Sequence, residues 1–364
     1  MRASRPPLAL LLAGLALLAA VVTRADHLAF PPDFETPPQV IAGAGGSSHR
    51  ERKALRHLPV IMIPDNARTR ADWLGANCGI AQGSVYQAFR DRGFDPMELW
   101  MLDLVEREGR QLTSLELRTD NLKEMIFAVL RYTGAPRVNL LAHGTGAVLA
   151  QAALVKYNLF YAVHSVAYVA GPFHGTAACS FDACLDGLPL CCNLSPGSDF
   201  LQDLLVPGET PGDLRPGSSP TRYLTVRNGR RFGDVWFRLN PESPALLGAR
   251  NLSFPELDHD GLRCAPQVLE QVIPFLTVAA SPYAPEDDLD TDDFRDRSSG
   301  GTDCDDRDPA VFPGAAETCD DGVDADCNGV DLSCQPGKDR DVPVERLPHA
   351  EESGAAQRSP AAAG

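Results

Sequence analysis

The stretch Val138-Asn139-Leu140-Leu141-Ala142-His143-Gly144-Thr145-Gly146-Ala147 constrains this chain more than any other. An apolar run enters a turn of small residues, and Ala147 to Tyr157 then follows a helical pattern. A strand, a sharp turn and a helix in direct succession call for a parallel sheet with covering helices. The flanking sequence repeats that alternation. Val60 to Ile63 and Leu99 to Leu102 are short buried-type strands, and residues near Ile80 to Arg92 look helical. Leu115 to Tyr132 is a long amphipathic helix with Gly134 as its stop. Val163 to Val169 and Arg222 to Val226 are further strands, and Pro266 to Leu276 closes the series as a helix. Short apolar strands alternating with helices give a mostly parallel sheet covered on both faces. The turns after Ile63, Leu141, Val169 and Val226 then converge on one crevice at the carboxyl ends of the strands.

The chain of 364 residues has room for one large and one small domain. Residues 1–25 have the parts of a secretory signal: Arg2 and Arg5, the apolar run Leu8 to Val22, and small residues ending at Ala25. That run is short for a membrane span, and no later segment approaches the length one needs. Ten cysteines suit an oxidising destination. Cys78, Cys179, Cys184, Cys191, Cys192 and Cys264 lie in the large domain; Cys304, Cys319, Cys327 and Cys334 lie beyond it. Both counts are even, which allows disulfides within each region, although spacing alone does not give the pairing. No CxxC pair occurs, which argues against a zinc cluster.

Residues 26–56 form an extended lead-in rich in Pro, Gly and Ser, and the main body spans 57–280. Within it, 181–220 is a Cys-, Pro- and Gly-rich excursion, either a cap over the crevice or a surface loop. Residues 281–335 are an acidic module, and 336–364 have the composition of a disordered tail. Between Glu286 and Asp331 lie 17 of the 49 acids but only three of the 33 bases, Arg295, Arg297 and Arg307. That segment therefore carries −14 of the net charge of −16, and nothing in the sequence suggests nucleic-acid binding.

The turn at 142–146 has the layout of a nucleophile elbow, G-x-S-x-G, with Gly144 where the reactive serine belongs. In such folds the order along the chain is nucleophile, acid, histidine. Asp234, beyond the Arg222 strand, and His259, before the last helix, stand in that order at strand ends. The run Leu247 to Leu252, then His259-x-Gly261-Leu262 and Pro266-Gln267-Val268, resembles the end of bacterial secreted triacylglycerol lipases of class 2. The resemblance covers about His57 to Leu276 and implies an α/β-hydrolase fold with Asp234 and His259 as triad acid and base. Two departures stand out. The family's first strand ends in His-Gly, whose following amide helps form the oxyanion hole; here Pro64-Asp65-Asn66 occupies that place, so Asn66 holds the amide position. Proline has no N–H, and Asp65 sets negative charge beside a developing oxyanion. Gly144 in turn lacks a nucleophilic atom, whose loss typically costs on the order of a million-fold in rate. The resemblance gives Thr145 the second oxyanion amide, with its side chain turned away from the base; its hydroxyl is the one other candidate nucleophile, and water activated by His259 is a slower route. Glycine also adopts the strained elbow conformation at little cost.

The acidic module spaces oxygen ligands two apart, at Asp288, Asp290 and Asp292 and again at Asp324, Asp326, Asn328 and Asp331, with Asp303 between. Gly329 supplies a loop glycine, although Gln335 stands where a calcium loop has its glutamate. The stretch 288–331 is similar to the cysteine-containing acidic repeat of bacterial secreted proteins known as a metal-binding motif. Dense carboxylates repel unless a cation neutralises them, and all-oxygen donors suit Ca2+. The bland alternative is a solvated acidic linker.

Three functions fit these features. One is a secreted lipase/esterase-like protein with hydrolysis lost or nearly lost, whose crevice binds a lipid, ester-like ligand or polymer without a cofactor. Another is an active esterase with a non-standard nucleophile. The third is a calcium-dependent surface attachment protein that uses the module.

Overall fold

The computed structural model describes residues 29–38, 40, 42–47, 55–75, 84–105, 114–115, 118–179, 184, 190–212, 220–281 and 283–334. The leader, Cys78, the beginning of the helix expected from Ile80, parts of the excursion and the tail beyond 334 lie outside them.

Seven strands form one sheet: β1 (Gly43–Gly45), β2 (Val60–Ile63), β3 (Leu99–Leu102), β4 (Val138–His143), β5 (Val163–Val169), β6 (Arg222–Arg227) and β7 (Arg250–Ser253). Their spatial order is β1-β3-β2-β4-β5-β6-β7. Every pairing is parallel except β1 on β3. The two edge strands escape the apolar pattern for clear reasons. β1 is Gly-Ala-Gly and lies within the lead-in. β7 is Arg-Asn-Leu-Ser with an exposed face, so no buried run marks it. The central strands are buried on both faces, as a doubly covered sheet requires. In β2, Ile61 and Ile63 join one apolar core while Val60 and Met62 join the other.

The helices are α1 (Ala71–Leu74), α2 (Val85–Asp91), α3 (Thr119–Thr133), α4 (Thr145–Lys156), α5 (Leu190–Leu194), α6 (Asp199–Leu205), α7 (His259–Cys264) and α8 (Pro266–Leu276). α3 turns Leu122, Met125, Ile126, Val129 and Leu130 into the first core and ends at Gly134 in the left-handed region, φ 65°. It starts later than its apolar pattern suggests, and Leu115 reaches the core from the segment before it. α4 begins directly at Thr145, so no loop separates β4 from its helix. On the opposite face α8 buries Val268, Leu269, Val272 and Ile273.

The body closes on itself where the two ends of the expected domain meet. Leu58 donates its N–H to Val278 O at 2.9 Å, and Ala280 donates to Arg56 O at 3.0 Å. The excursion is pinned by the disulfides Cys179–Cys191 and Cys184–Cys192, and Leu201 and Leu204 of α6 enter the core that also holds α4.

The acidic module carries the disulfides Cys304–Cys327 and Cys319–Cys334. It docks on the α3 side of the body. The Arg131 guanidinium lies over both Phe294 and Phe312, at 5.1 and 5.0 Å. Asn158 Nδ2 donates to Asn328 O at 2.7 Å. Gly314, at φ 85°, abuts the Phe127 ring so closely that a Cβ there would come within 2.5 Å of it. No described helix is long and apolar enough to cross a membrane.

Candidate active site and acidic cation clusters

β4 runs straight into Gly144, whose φ of 54° and ψ of −127° suit glycine and strain other residues. Thr145 is the first residue of α4, so its backbone N–H is one of the unsatisfied donors at a helix start. The loop after β2 brings Asp65 across to that point. Asp65 Oδ1 accepts the N–H of Thr145 at 2.8 Å, the N–H of Asn66 at 2.7 Å and the Thr145 hydroxyl at 2.7 Å. The two amides expected to hold an oxyanion therefore do converge on one oxygen, and that oxygen belongs to the protein. The sequence predicts Asp65 to set a charge beside the expected oxyanion position; in the structure its carboxylate lies on the two amides themselves. The Thr145 hydroxyl, expected to turn away from the site, is drawn in by Asp65.

Gly144 and Asp65 compete for one space. A Cβ on Gly144 would lie 2.3 Å from Asp65 Cγ and 2.4 and 2.6 Å from its two oxygens. The carboxylate fills the volume where a side chain at the elbow would emerge. Nothing in the sequence linked positions 65 and 144; the only signal was that both departed from the same pattern.

His259 and Asp234 meet as placed. His259 Nδ1 lies 2.9 Å from Asp234 Oδ2, and Nε2 lies 3.4 Å from Asp65 Oδ2. Asp234 is almost wholly buried, and its other oxygen accepts the Trp236 N–H at 2.9 Å. Asn228, at the end of β6, donates to Pro255 O and Leu257 O at 3.1 and 2.6 Å, which ties the acid loop to the histidine loop. Asp258 caps α7 through the Gly261 N–H at 2.8 Å and so fixes His259 in the first turn. From below, buried His143 places Nε2 3.1 Å from the His259 carbonyl, which accepts its N–H.

Burial alone would disfavour a charged His259, but its hydrogen bonds and charge pairing with Asp234 and Asp65 outweigh that and raise its pKa to about 9. Asp65 balances oppositely. Burial would raise it, yet the hydrogen bond from His259, the nearby histidine charges and the Thr145 hydroxyl hold it well below the usual carboxylate range. His143 is pushed well below 6.5, by burial first and the His259 charge second. At neutral pH the centre is thus an Asp65 carboxylate against a His259 imidazolium. The segment around Asp234 carries exposed apolar side chains, Phe232 (64%), Val235 (54%), Trp236 (45%) and Leu239 (65%), of which the Trp236 ring lies 6.2 Å from that of His259.

In the module, three carboxylate sets each place one oxygen per residue within 4.8 Å of the others: Asp288, Asp290 and Asp306; Asp290, Asp292 and Asp303; Glu317, Asp324 and Asp326. Asp306 and Glu317 are additions that the two-residue spacing did not reveal, because they arrive from other turns. Asn328 Oδ1 accepts the Val330 N–H, and Asp331 Oδ2 accepts the Gly322 N–H. A cation fits these residues on direct grounds. Asp303 is fully buried, yet its Oδ2 has no hydrogen-bond donor, and Asp290 Oδ2, Asp292 Oδ2 and Asp324 Oδ1 are likewise buried without one. Burial and the neighbouring carboxylates push Asp292 up to about 7 and Asp303 and Asp326 to about 6.

The comparisons with known proteins agree with this division. Residues 57–213 match the sequence profile of the class 2 lipases, and residues 303–331 match that of the Cu-binding MopE metal-binding motif. No curated protein sequence matches the chain. Among solved structures, mature Bacillus licheniformis lipase BlEst2 aligns at 16% identity with a TM-score of 0.47, over 61% of this chain and 93% of that one. Aspergillus fumigatus lipase B aligns at 17% identity with a TM-score of 0.45, over 75% and 69%. Residues 57–213 are thus similar to the class 2 lipases, and residues 303–331 to a metal-binding motif.

Proposed function

We propose that this is a secreted lipase/esterase-like protein whose crevice binds a lipid or ester-like ligand and whose serine-type ester hydrolysis has been lost. The observation that carries this reading is Asp65 Oδ1 on the N–H groups of Thr145 and Asn66. Acyl transfer needs those donors for the oxyanion of its tetrahedral intermediate. Here a permanent anion holds them, and the position above Gly144 offers no nucleophile. The rival reading, an esterase with Thr145 as nucleophile, is disfavoured because that hydroxyl donates to Asp65. Secretion rests on the leader-like residues 1–25 and suits the disulfides in both regions. The exposed apolar side chains near Asp234 in sequence, with Trp236 beside His259, suit an apolar ligand body. In the module, Asp288, Asp290, Asp292, Asp303 and Asp306 would hold one calcium cluster, and Glu317, Asp324 and Asp326 another; the donors are hard oxygens, which calcium favours. A panel of short-chain and long-chain p-nitrophenyl esters tests the reading. Turnover no faster than that of a His259→Ala control is expected. Turnover well above that control, abolished by Thr145→Val, would establish the rival.

A further inference from the structure

The carboxylate that blocks one chemistry is placed for another. One of its oxygens sits on oxyanion donors, while the other, Oδ2, faces His259 Nε2 at 3.4 Å, and the side chain is 20% exposed. Aspartate is an established class of covalent nucleophile. We infer that Asp65 is a nucleophile for displacement at a tetrahedral carbon, and that the crevice hydrolyses an epoxide bearing an apolar substituent. This rests on Asp65 occupying the oxyanion amides and not on the fate of esters.

The choice of tetrahedral carbon follows from where charge develops. Attack on an ester carbonyl creates an oxyanion that needs the Thr145 and Asn66 amides, and Asp65 Oδ1 already holds them. Attack on an epoxide carbon sends the charge to the departing ring oxygen instead, away from those donors. That oxygen needs a proton, and the imidazolium N–H of His259 stands beside the attacking oxygen.

The steps balance. Asp65 Oδ2 bonds to the epoxide carbon, the carbon–oxygen bond of the ring breaks, and the alkoxide takes the proton from His259 Nε2. Asp65 is now a hydroxyalkyl ester and His259 is neutral, held in orientation by Asp234 at 2.9 Å. Neutral His259 then takes a proton from water as the water oxygen attacks Asp65 Cγ. The resulting oxyanion develops on Oδ1, which the N–H groups of Thr145 and Asn66 and the Thr145 hydroxyl already bind. Collapse expels the diol alkoxide, which takes the proton from His259. The carboxylic acid left on Asp65 returns its proton to His259 and restores the starting pair. The net reaction is epoxide plus water to diol, with no redox partner. The donors that bind Oδ1 in the resting protein thus become an oxyanion hole in the second half of the cycle, and half-exposed Trp236, its ring 6.2 Å from that of His259, suits the apolar substituent.

The probe is 1,2-epoxyoctane, incubated with the full chain in 18O-water at limiting epoxide. Octane-1,2-diol should form, and peptide mapping should find 18O in the Asp65 carboxylate, because the first water enters the protein and not the product. Rapid acid quenching of the wild-type protein during turnover, followed by peptide mapping, should show an adduct of one epoxide on the peptide that contains Asp65. Asp65→Asn should lose diol formation to background. Diol formed by the wild-type protein without 18O in Asp65 overturns the inference, since water would then attack the epoxide directly. Absence of both diol and adduct in the wild-type protein overturns it equally, whatever the variants do. Ester turnover, measured on the same samples, reports separately on the binding reading.

Discussion

Asp65 and Gly144 exclude each other's ordinary form: a Cβ on Gly144 would lie 2.3 Å from Asp65 Cγ, inside the carboxylate's own volume. Glycine at 144 and aspartate at 65 are therefore compatible with each other, whereas a larger side chain at 144 is not compatible with Asp65 as placed. The positive φ of Gly144 adds a second reason for glycine, independent of the neighbour.

That geometry makes Gly144→Ser more disruptive than a change of backbone preference alone. The strained conformation costs roughly 1–3 kcal/mol for a non-glycine residue, and the overlap with Asp65 adds to it. Gly144→Ser should lower the melting temperature and give at most feeble ester turnover. Asp65→Gly on top of Gly144→Ser should recover part of the loss, because only the overlap is relieved. Additive melting shifts in this double-mutant cycle would show that the two positions do not meet.

The histidines give the stability a two-sided pH dependence. His259 has a folded pKa of about 9, above the ordinary 6.5, so its contribution is complete below about 6.5 and is lost as pH rises towards 9. His143 is depressed by burial, so its contribution is complete above 6.5 and fades as pH falls and the unfolded chain takes up the proton. Asp65 is also depressed, and its contribution fades below the ordinary carboxylate range. The contribution of these three groups by itself peaks near pH 6 to 7, while the raised Asp292, Asp303 and Asp326 of the module add a calcium-sensitive loss as pH rises above the ordinary carboxylate range. His259→Gln should flatten the alkaline limb and leave the acid limb in place; a steep alkaline limb in that variant would assign the dependence elsewhere.

The central sheet was legible because buried strands and helices advertise themselves by apolar period, as at Val60, Leu99, Val138 and Val163. The edge strands were not, since Gly43–Gly45 and Arg250–Ser253 bury too little to leave a pattern. Asp234 and His259 were legible from their order and their places at strand ends, and they do meet at 2.9 Å. Asp65 was visible as an oddity and its role was not, because a loop's aim depends on packing that no local pattern records. For the same reason Asp306 and Glu317 escaped notice, each joining a cluster from a turn outside its two-residue spacing.

The module's attachment to the body rests on few side chains and can be tested singly. Arg131 stacks against Phe294 and Phe312, and such a partly desolvated contact contributes about 1 kcal/mol. Arg131→Ala should leave the body's main melting transition close to that of the wild type while exposing the 281–334 region to limited proteolysis. Unchanged cleavage kinetics would place the attachment on Asn158 and the Gly314–Phe127 contact instead.

Calcium should raise the melting temperature of the full chain relative to chelator, because a ligand that favours the folded state stabilises it by about 2.7 kcal/mol at a hundred times its dissociation constant. The informative variant is Asp303→Asn. Asp303 is fully buried, its Oδ1 accepts the Asp305 N–H at 3.0 Å, and its Oδ2 has no donor. Asparagine can keep the first bond while removing a buried charge that lies close to Asp290 and Asp292. Without calcium the variant should thus melt at the wild-type temperature or above it. With calcium it should fall below the wild type, having lost a charged oxygen ligand. Only a ligand role predicts this crossing, since a purely structural aspartate would cost stability equally in both conditions. Equal losses with calcium and chelator, or a wild-type melting temperature indifferent to calcium, would reduce the segment to a disulfide-pinned acidic appendage.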